Sequence, residues 1–272
     1  EPIRASGCPD ATLARRLDAL YDEYNDPRWI EPDPLAVVRR YDDPADVELA
    51  GLAAAALALG NAALIVRAAE AALAPLGPRP ASALAEMDDE DLAASLASFR
   101  YRFFDGGDLA SLLAAARNLR RRHGGLEAAF LAGDDPESGD YVGAVSRFVS
   151  LLASAAPAPW RPNLLPDPAR GSAAKRAFLY LRWMVRRDSV DPGPWSRCDP
   201  SRLVAPLDTH MAAACRRLGL LSRRSTDLKA ALEATERLRA IRPDDPVRYD
   251  FCMTRPGIRP DLDPDACFDP FH

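Results

Sequence analysis

The sequence predicts an all-α protein, and two observations support that prediction. Leucine, alanine and arginine recur at helical spacing through most of the 272 residues, whereas the alternation of β-branched and polar residues that marks strands is nearly absent. Hydrophobic residues make up 48% of the chain and charged residues 28%, which is the balance of a soluble globular protein with a substantial core. No strand is predicted.

Capping residues and prolines place the helix boundaries. Asp33-Pro34 opens a short helix, and Asp43-Pro44 opens a long buried helix from about Ala45 to Leu73. Two helices near the middle of the chain begin after Ser172 and at Asp208, and they frame the candidate chemistry. Further helices are predicted over residues 11–25, 80–84, 89–97, 109–122, 126–131, 141–154 and 227–241.

Neither a membrane span nor a metal site is predicted. The apolar runs are rich in alanine, are interrupted by Gly60-Asn61 and are shorter than a bilayer requires. The five cysteines are odd in number and scattered, without CxxC spacing, which indicates a reducing cytoplasm and argues against zinc and against a four-cysteine iron–sulfur cluster.

The charge pattern allows a local nucleic-acid contact. The formal net charge of -5 argues against a protein that coats nucleic acid without specificity. Between Arg161 and Arg187, however, seven basic residues stand against Asp167 alone. The acidic residues concentrate elsewhere, so the sequence predicts a basic patch in this segment.

Lys175 and Asp208 are the candidate reactive residues. Ser172 is the predicted N-cap, which places Lys175 near the third position of a helix that follows the turn PARGS. The positive end of that helix favours the uncharged amine, the form that acts as a nucleophile, and its N–H groups suit phosphate. Asp208 opens the next helix in LVAPLDTHM, where capping alone would also explain an aspartate.

These segments resemble the HhH-GPD superfamily of DNA glycosylases. LPDPARGSAAKRA resembles its helix-hairpin-helix, in which a Pro/Gly turn precedes a lysine in bifunctional members. APLDTHM is similar to the Pro-x-Asp-x-His-Met motif of the 8-oxoguanine DNA glycosylase/AP lyases, and ELAGLAAAALALGNAALI to an early helix with a polar end at the DNA. The segments LRWMVRRDSVDPGPW and DPVRYDF also resemble an uncharacterised bacterial family that we place on this fold.

The sequence also departs from the glycosylase pattern. The insertion RRDSVDPGPWSRCDPSR lengthens the gap between Lys175 and Asp208, and Ala-Arg stands in the hairpin where Gly-x-Gly is commoner. The cysteines of the endonuclease III branch are missing, which favours the branch that acts on oxidised purines.

The resemblance implies an architecture and a reaction. Residues 1–272 would form one unit of two helical subdomains, 45–190 ending in the hairpin and the Lys175 helix, and 1–44 with 191–272 carrying Asp208, with the active-site cleft between them. An oxidised purine, 8-oxoguanine above all, would be extruded from duplex DNA. Lys175 would displace the base through a Schiff base and nick the strand by β-elimination, while Asp208 stabilises the developing oxocarbenium charge and steers proton transfer.

The resemblance further implies roles for neighbouring residues. Asn61 would fill the gap left by the extruded nucleotide, and Trp183 and Trp195 would line the base pocket, although core packing also explains the tryptophans. Phosphate and DNA contacts are expected from Arg170, Gly171, Ser172, Arg176, Arg182, Arg186 and His210, although a solvated face also explains the arginines.

The expected protein is a cytoplasmic, nucleoid-associated bacterial monomer. It needs no cofactor, a monovalent cation at the hairpin being the one ion considered, and its partner is double-stranded DNA with a damaged base, not a membrane. Two alternatives stay open, a non-catalytic DNA-binding protein on the same fold and a glycosylase for another modified base or for RNA.

Overall fold

The computed structural model of the protein describes residues 11–263 and confirms the all-α class. Within that range thirteen α-helices are joined by loops, four short 3-10 turns and one small β-hairpin. The helices are α1 (Ala11–Tyr24), α2 (Leu35–Val38), α3 (Pro44–Ala56), α4 (Ala62–Leu73), α5 (Pro80–Glu86), α6 (Asp89–Ser95), α7 (Gly106–His123), α8 (Leu126–Leu131), α9 (Val142–Ala155), α10 (Lys175–Val185), α11 (Thr209–Arg217), α12 (Leu228–Ile241) and α13 (Asp250–Ile258).

The hairpin was not predicted. Strands β1 (Arg100–Tyr101) and β2 (Phe104–Asp105) pair antiparallel, and Arg102 at the turn has a left-handed backbone with φ 51°. The Tyr101 hydroxyl donates to the carbonyl of Leu59 at 2.8 Å. The hairpin is therefore attached to the loop that follows α3.

Helix α3 is the centre of the core. It packs against α2, α4, α5, α7 and α10, and every residue from Asp46 to Ala56 is buried. Small residues allow α10 to approach closely, because a Cβ on Gly51 would lie 2.7 Å from Cε of Met184. The position of α10, which begins at Lys175, is thus fixed by its packing against the central helix α3.

The prediction of one long helix from Ala45 to Leu73 is wrong. Helix α3 ends at Ala56, and α4 begins at Ala62 after Gly60, whose φ of 109° no helix accommodates. The Asn61 side chain caps α4 by accepting the N–H of Leu64 at 3.3 Å. The break turns Gly60-Asn61 into a surface loop.

The predicted N-cap at Ser172 is also wrong. The preceding turn is a 3-10 helix, Pro168–Arg170, closed by Gly171 with φ 81°. The Ser172 hydroxyl accepts the N–H of Ala174 at 3.2 Å, and Ala174 takes a left-handed conformation with φ 43°. Such a conformation costs a residue with a side chain about 1–2 kcal/mol. Lys175 is consequently the first residue of α10.

The insertion between α10 and α11 folds back into the core. Asp191 is fully buried, with Oδ1 2.8 Å from Nη2 of Arg182 and Oδ2 paired with Arg186. Trp195 donates its backbone N–H to the carbonyl of Met184 at 2.8 Å. The insertion therefore braces the C-terminal half of α10.

The predictions about membrane spans, cysteines and subdomains can be compared with the described residues. Across residues 11–263 none of the helices has both the length and the apolar character of a membrane span. Cys198, Cys215 and Cys252 are buried free thiols, while Cys8 and Cys267 lie outside the described residues. The division into subdomains 45–190 and 1–44 with 191–272 stays a prediction.

Candidate active site

Lys175 and Asp208 lie together at a cavity of about 450 Å³. Its walls come from the segment before α2, the Gly60-Asn61 loop with the start of α4, and the first turns of α10 and α11. Helix α13 and the residues after it close the far side. Cavities of about 300–1,000 Å³ are the usual size of small-molecule sites, so one flat heterocycle can be accommodated.

The geometry of the pair follows from two helix starts. Nζ of Lys175 is 3.4 Å from Oδ2 of Asp208, and both side chains are partly exposed, at 28% and 23%. The other oxygen, Oδ1, accepts the N–H of Met211 at 2.8 Å and so caps α11. The cap holds the carboxylate in place, and one oxygen is left to face the amine.

The choice of lysine at this position is unusual for this chain. Of its 35 basic lysine and arginine residues only two are lysines, Lys175 and Lys229. Arginine keeps its proton under all ordinary conditions, whereas a lysine amine can lose it and act as a nucleophile. The scarcity of lysine could have been read from the sequence, and it singles out Lys175 among the residues at the cavity.

The inner wall of the cavity is charged. Asp250 is buried and its Oδ2 accepts from Arg182 at 2.5 Å, while Asp33 Oδ2 accepts from Arg255 at 2.6 Å. Burial raises the pKa of Asp250 to about 6 against the opposing charge of Arg182. Burial acts in the same direction on Asp33, but Arg255 and the Leu35 N–H outweigh it and lower the pKa of that carboxyl. Asp250 is thus the carboxyl of this wall with the higher pKa.

Other predicted residues surround the pair. Asn61 and His210 line the cavity, and the imidazole of His210 lies so close to Gly257 that no Cβ would fit there. Arg170 and Ser172 are exposed but line a separate groove, and Gly171 lies between them in the exposed turn. The roles of these residues stay predictions.

Comparison with known proteins identifies a family for this chain but no activity. The family described as a protein of unknown function, DUF2400, matches residues 33–259, most of the chain. The chain belongs to the DUF2400 family. No curated protein and no solved structure matched it. The matched family is not HhH-GPD, so the assignment to the HhH-GPD superfamily is wrong.

The core of this DUF2400 protein contains three arginines that had been predicted to bind DNA. Arg176 donates to the carbonyls of Ala56, at 3.1 Å, and Asn163, and burial lowers its pKa to about 10. Arg182 and Arg186 are each 3% exposed, and both guanidinium groups form salt bridges with the buried Asp191. The DNA contacts predicted for these three residues are wrong, because such contacts need exposed guanidinium groups and the chain is buried from Arg176 to Arg186.

The base-pocket predictions for the two tryptophans are wrong as well. Trp183 is fully buried, and Trp195 is 2% exposed and donates its Nε1–H to Glu48 at 2.8 Å. Trp195 packs edge-on against Tyr180, with ring centroids 5.6 Å apart. Both indoles belong to the core and neither lines the cavity.

Two features of the DUF2400 chain were missed from the sequence. One is Asp250, because nothing in the string RYDFC shows which neighbours bury its carboxyl. The other is the hairpin tip, where Phe103 is 66% exposed beside Arg102, whose guanidinium abuts Gly60 at the cavity. The string FRYRFF, an aromatic cluster interleaved with arginines, was the available signal. Within residues 11–263 no cluster of three or more metal-ligating side chains occurs.

Proposed function

We propose that this DUF2400 protein is a DNA-repair glycosylase with AP-lyase activity that excises an oxidised purine, 8-oxoguanine above all, from duplex DNA. The observation that supports it is the Lys175–Asp208 pair, 3.4 Å apart at the edge of a cavity of base size. Such a pair combines an amine nucleophile with a carboxylate that can accept its proton and balance positive charge on a sugar.

The reaction proceeds at C1′ of the extruded nucleotide. The Lys175 amine forms a bond to C1′ as the bond from C1′ to the base breaks, and the base leaves with the electron pair and takes up a proton. The Asp208 carboxylate stabilises the positive charge on the sugar while the bond to the base breaks, and it then receives the proton lost by the amine. Opening of the sugar ring then gives an iminium between Lys175 and C1′. Loss of a proton from C2′ breaks the C3′–O bond and expels the 3′ phosphate. Water finally hydrolyses the iminium and releases the lysine.

Duplex DNA has to be opened for this chemistry, because C1′ is shielded while the base is stacked. The exposed hairpin tip suits that role better than Asn61, whose carbonyl oxygen is used in capping α4. Apolar side chains such as phenylalanine are common wedges between base pairs. In the proposal Phe103 enters the stack, with Arg100 and Arg102 beside the phosphates, and Asn61 lies at the vacated position.

The remaining DNA contacts are assigned to the exposed residues near the pair. Arg170, Gly171 and Ser172 in the turn before α10 bind the backbone on one side of the lesion, and His210 binds it on the other. With these contacts, the proposal includes the detailed fold predicted from the sequence, namely a helix-hairpin-helix with the active-site cleft between two helical subdomains. The first arm of the hairpin is then the short 3-10 turn Pro168–Arg170.

The experiment is an incision assay on duplexes that carry 8-oxoguanine, other modified bases or an abasic site. The wild type should cut the 8-oxoguanine strand, and Lys175→Gln should not. Asp208→Asn keeps a capping oxygen, so it should fold normally and lose about 100-fold or more in rate. Lys229→Gln, on the exposed start of α12, is the matched control and should cut like the wild type.

The outcomes separate the proposal from its alternatives. Cutting of a different base would change the substrate and leave the mechanism in place. Tight binding of damaged duplex with no cutting in the whole panel would show a non-catalytic DNA-binding protein. Equal rates for Asp208→Asn and the wild type would restrict Asp208 to its capping role.

A further inference from the structure

The groove that Arg170 and Ser172 line is a second cavity, of about 570 Å³, separate from the one at Lys175. Its walls come from the second half of α9 and from the proline-rich loop that leads to α10. The lining is mostly apolar and includes Trp160 and Leu165. Trp160 is half-buried and packs against the core, so its indole is held in place at the surface.

Arg176 at this groove is a buried cation without a counter-ion. Five arginines are buried within residues 11–263, and four of them form salt bridges with carboxylates, namely Arg117, Arg182, Arg186 and Arg255. Within the same range Arg176 donates only to two backbone carbonyls, and its Cζ lies 5.6 Å from the ring centroid of Phe104. A buried charge that no opposite charge balances is costly, and here burial lowers the pKa of the arginine to about 10. The charge of Arg176 therefore favours an anion in the groove that it lines.

The rim of the groove supplies exposed donors for such an anion. Arg170 and Ser172 are both exposed, and the Ser172 hydroxyl accepts the N–H of Ala174 at 3.2 Å, so its own proton is available to a ligand. Asp167 also lines the groove, but Oδ1 of its carboxylate caps the 3-10 turn. The charged residues of the lining leave a net charge of +1. Arg176 stays buried and acts through its charge, while the contacts come from the rim.

We propose that this groove is a second nucleotide site, in which the base of one unpaired nucleotide of single-stranded DNA packs against Trp160 and its phosphate is bound by Arg170 and Ser172. Single strands commonly bind in positively charged grooves where bases stack on aromatic side chains. A base of an intact duplex is held in its stack and does not reach into a recess. Asn163 and Ser150 also line the groove, and because their side chains can donate or accept, little preference among the bases is expected.

The inference rests on the proposed function only in taking the ligand to be DNA. The groove includes neither Lys175 nor Asp208, and binding there requires no cleavage. A test with undamaged DNA therefore examines the groove without the reaction.

The test compares dissociation constants for a single strand of about 12 nucleotides and for the blunt duplex of the same sequence. Trp160→Ala should weaken binding of the single strand about tenfold and change binding of the duplex by less than about twofold. Arg170→Gln should also weaken binding of the single strand. The matched control is Arg122→Gln, at the exposed C-terminal end of α7 and outside the groove, which should bind like the wild type.

Two results of this comparison would overturn the site. One is single-strand binding that Trp160→Ala leaves unchanged or weakens no more than duplex binding. The other is an equal loss in Arg122→Gln and Arg170→Gln, which would reduce the role of Arg170 to general attraction between charges.

Tryptophan fluorescence keeps the inference testable if Trp160→Ala folds poorly, because Trp160 also packs against the core. Saturation with the single strand should quench the emission of the wild type. The quench should disappear in Trp160→Phe, which keeps an aromatic ring and should bind the strand within about threefold of the wild type. A quench of equal size in Trp160→Phe would place the base at another tryptophan and overturn the site.

Free dAMP distinguishes a DNA strand from a free nucleotide as the occupant. Its dissociation constant, measured by the same quench, should be about tenfold or more above that of the single strand, because a strand adds further backbone contacts. A smaller difference would identify a free nucleotide as the ligand and overturn the assignment to DNA.

Failure of this inference can be told apart from failure of the proposed function. Excision that requires Lys175, together with single-strand binding that does not depend on Trp160, would overturn the groove and leave the enzyme standing. Binding that depends on Trp160 in a protein that cleaves no damaged duplex would support the groove alone.

Discussion

Asp208 combines two roles that look like alternatives when only the sequence is known. Oδ1 caps α11 and Oδ2 faces Lys175, so a single side chain satisfies the local helix and the candidate chemistry. Both residues of the pair could be predicted because helix starts carry local signals, namely an aspartate before a helical run and a lysine after a Pro/Gly turn. Their separation of 3.4 Å could not, because it depends on how α10 and α11 meet.

Asp250 gives a prediction on stability at the scale of the residue. Its pKa is raised from 3.8 to about 6 by burial, so between these values the folded protein keeps a proton that the unfolded chain releases. The free energy of unfolding therefore falls as the pH rises through this window, by about 3 kcal/mol from this group. Asp250→Asn has no such proton.

The measurement is urea unfolding of the wild type and Asp250→Asn at pH 4, 5, 6 and 7. The stability of the variant relative to the wild type should increase from pH 4 to 6 and then level off. Asp33 and Asp188, with lowered pKa values, act in the opposite direction but are present in both proteins and cancel in the difference. A difference that stays flat with pH would show that burial does not raise the pKa of Asp250.

At the scale of elements, the positions of the helices were easier to predict from the sequence than the contacts that each helix face makes. Arg182 and Arg186 are four residues apart and therefore lie on one side of a helix, where the sequence led us to expect contact with DNA or with solvent. The insertion supplies Asp191, which follows Arg182 by 9 residues and Arg186 by 5. Its carboxylate pairs with both guanidinium groups because the insertion turns back onto α10, a turn that helical spacing does not reveal. The break at Gly60-Asn61 was visible in the sequence but was outweighed by the apolar run around it.

The hairpin tip provides the prediction at this scale. Phe103→Ala should lower the incision rate on duplex DNA by about tenfold, because a wedge stacks on exposed bases. It should leave the melting temperature unchanged, since Phe103 is 66% exposed. On single-stranded DNA with the same lesion, where no gap has to be filled, the variant should match the wild type.

Asn61→Ser serves as the comparison for the hairpin. It removes the amide proposed to lie at the vacated position but keeps an oxygen that can cap α4. A loss on duplex DNA with Asn61→Ser and none with Phe103→Ala would return the wedge role to Asn61.

At the scale of the whole molecule, the cavity could not have been predicted from the sequence. Its walls come from residues near 33, 61, 175, 208 and 250. These segments are far apart in the sequence and are brought together by the packing of the helices, including α10 against α3 and α11 against α13. Sequence patterns predicted the all-α class and the two ends of the reactive pair. The identity of the groups behind that pair, above all Asp250, depends on tertiary contacts.

The central claim is that Lys175 forms a covalent bond with the sugar of a damaged nucleotide. Borohydride trapping with 8-oxoguanine duplex DNA tests it most directly, because reduction of a Schiff base leaves a stable adduct that peptide mapping can assign. With only Lys175 and Lys229 in the chain, the lysine assignment has two candidates. We expect an adduct on Lys175 in the wild type and in Lys229→Gln, and none in Lys175→Gln. An adduct that persists in Lys175→Gln, or none with any damaged duplex, would contradict the claim.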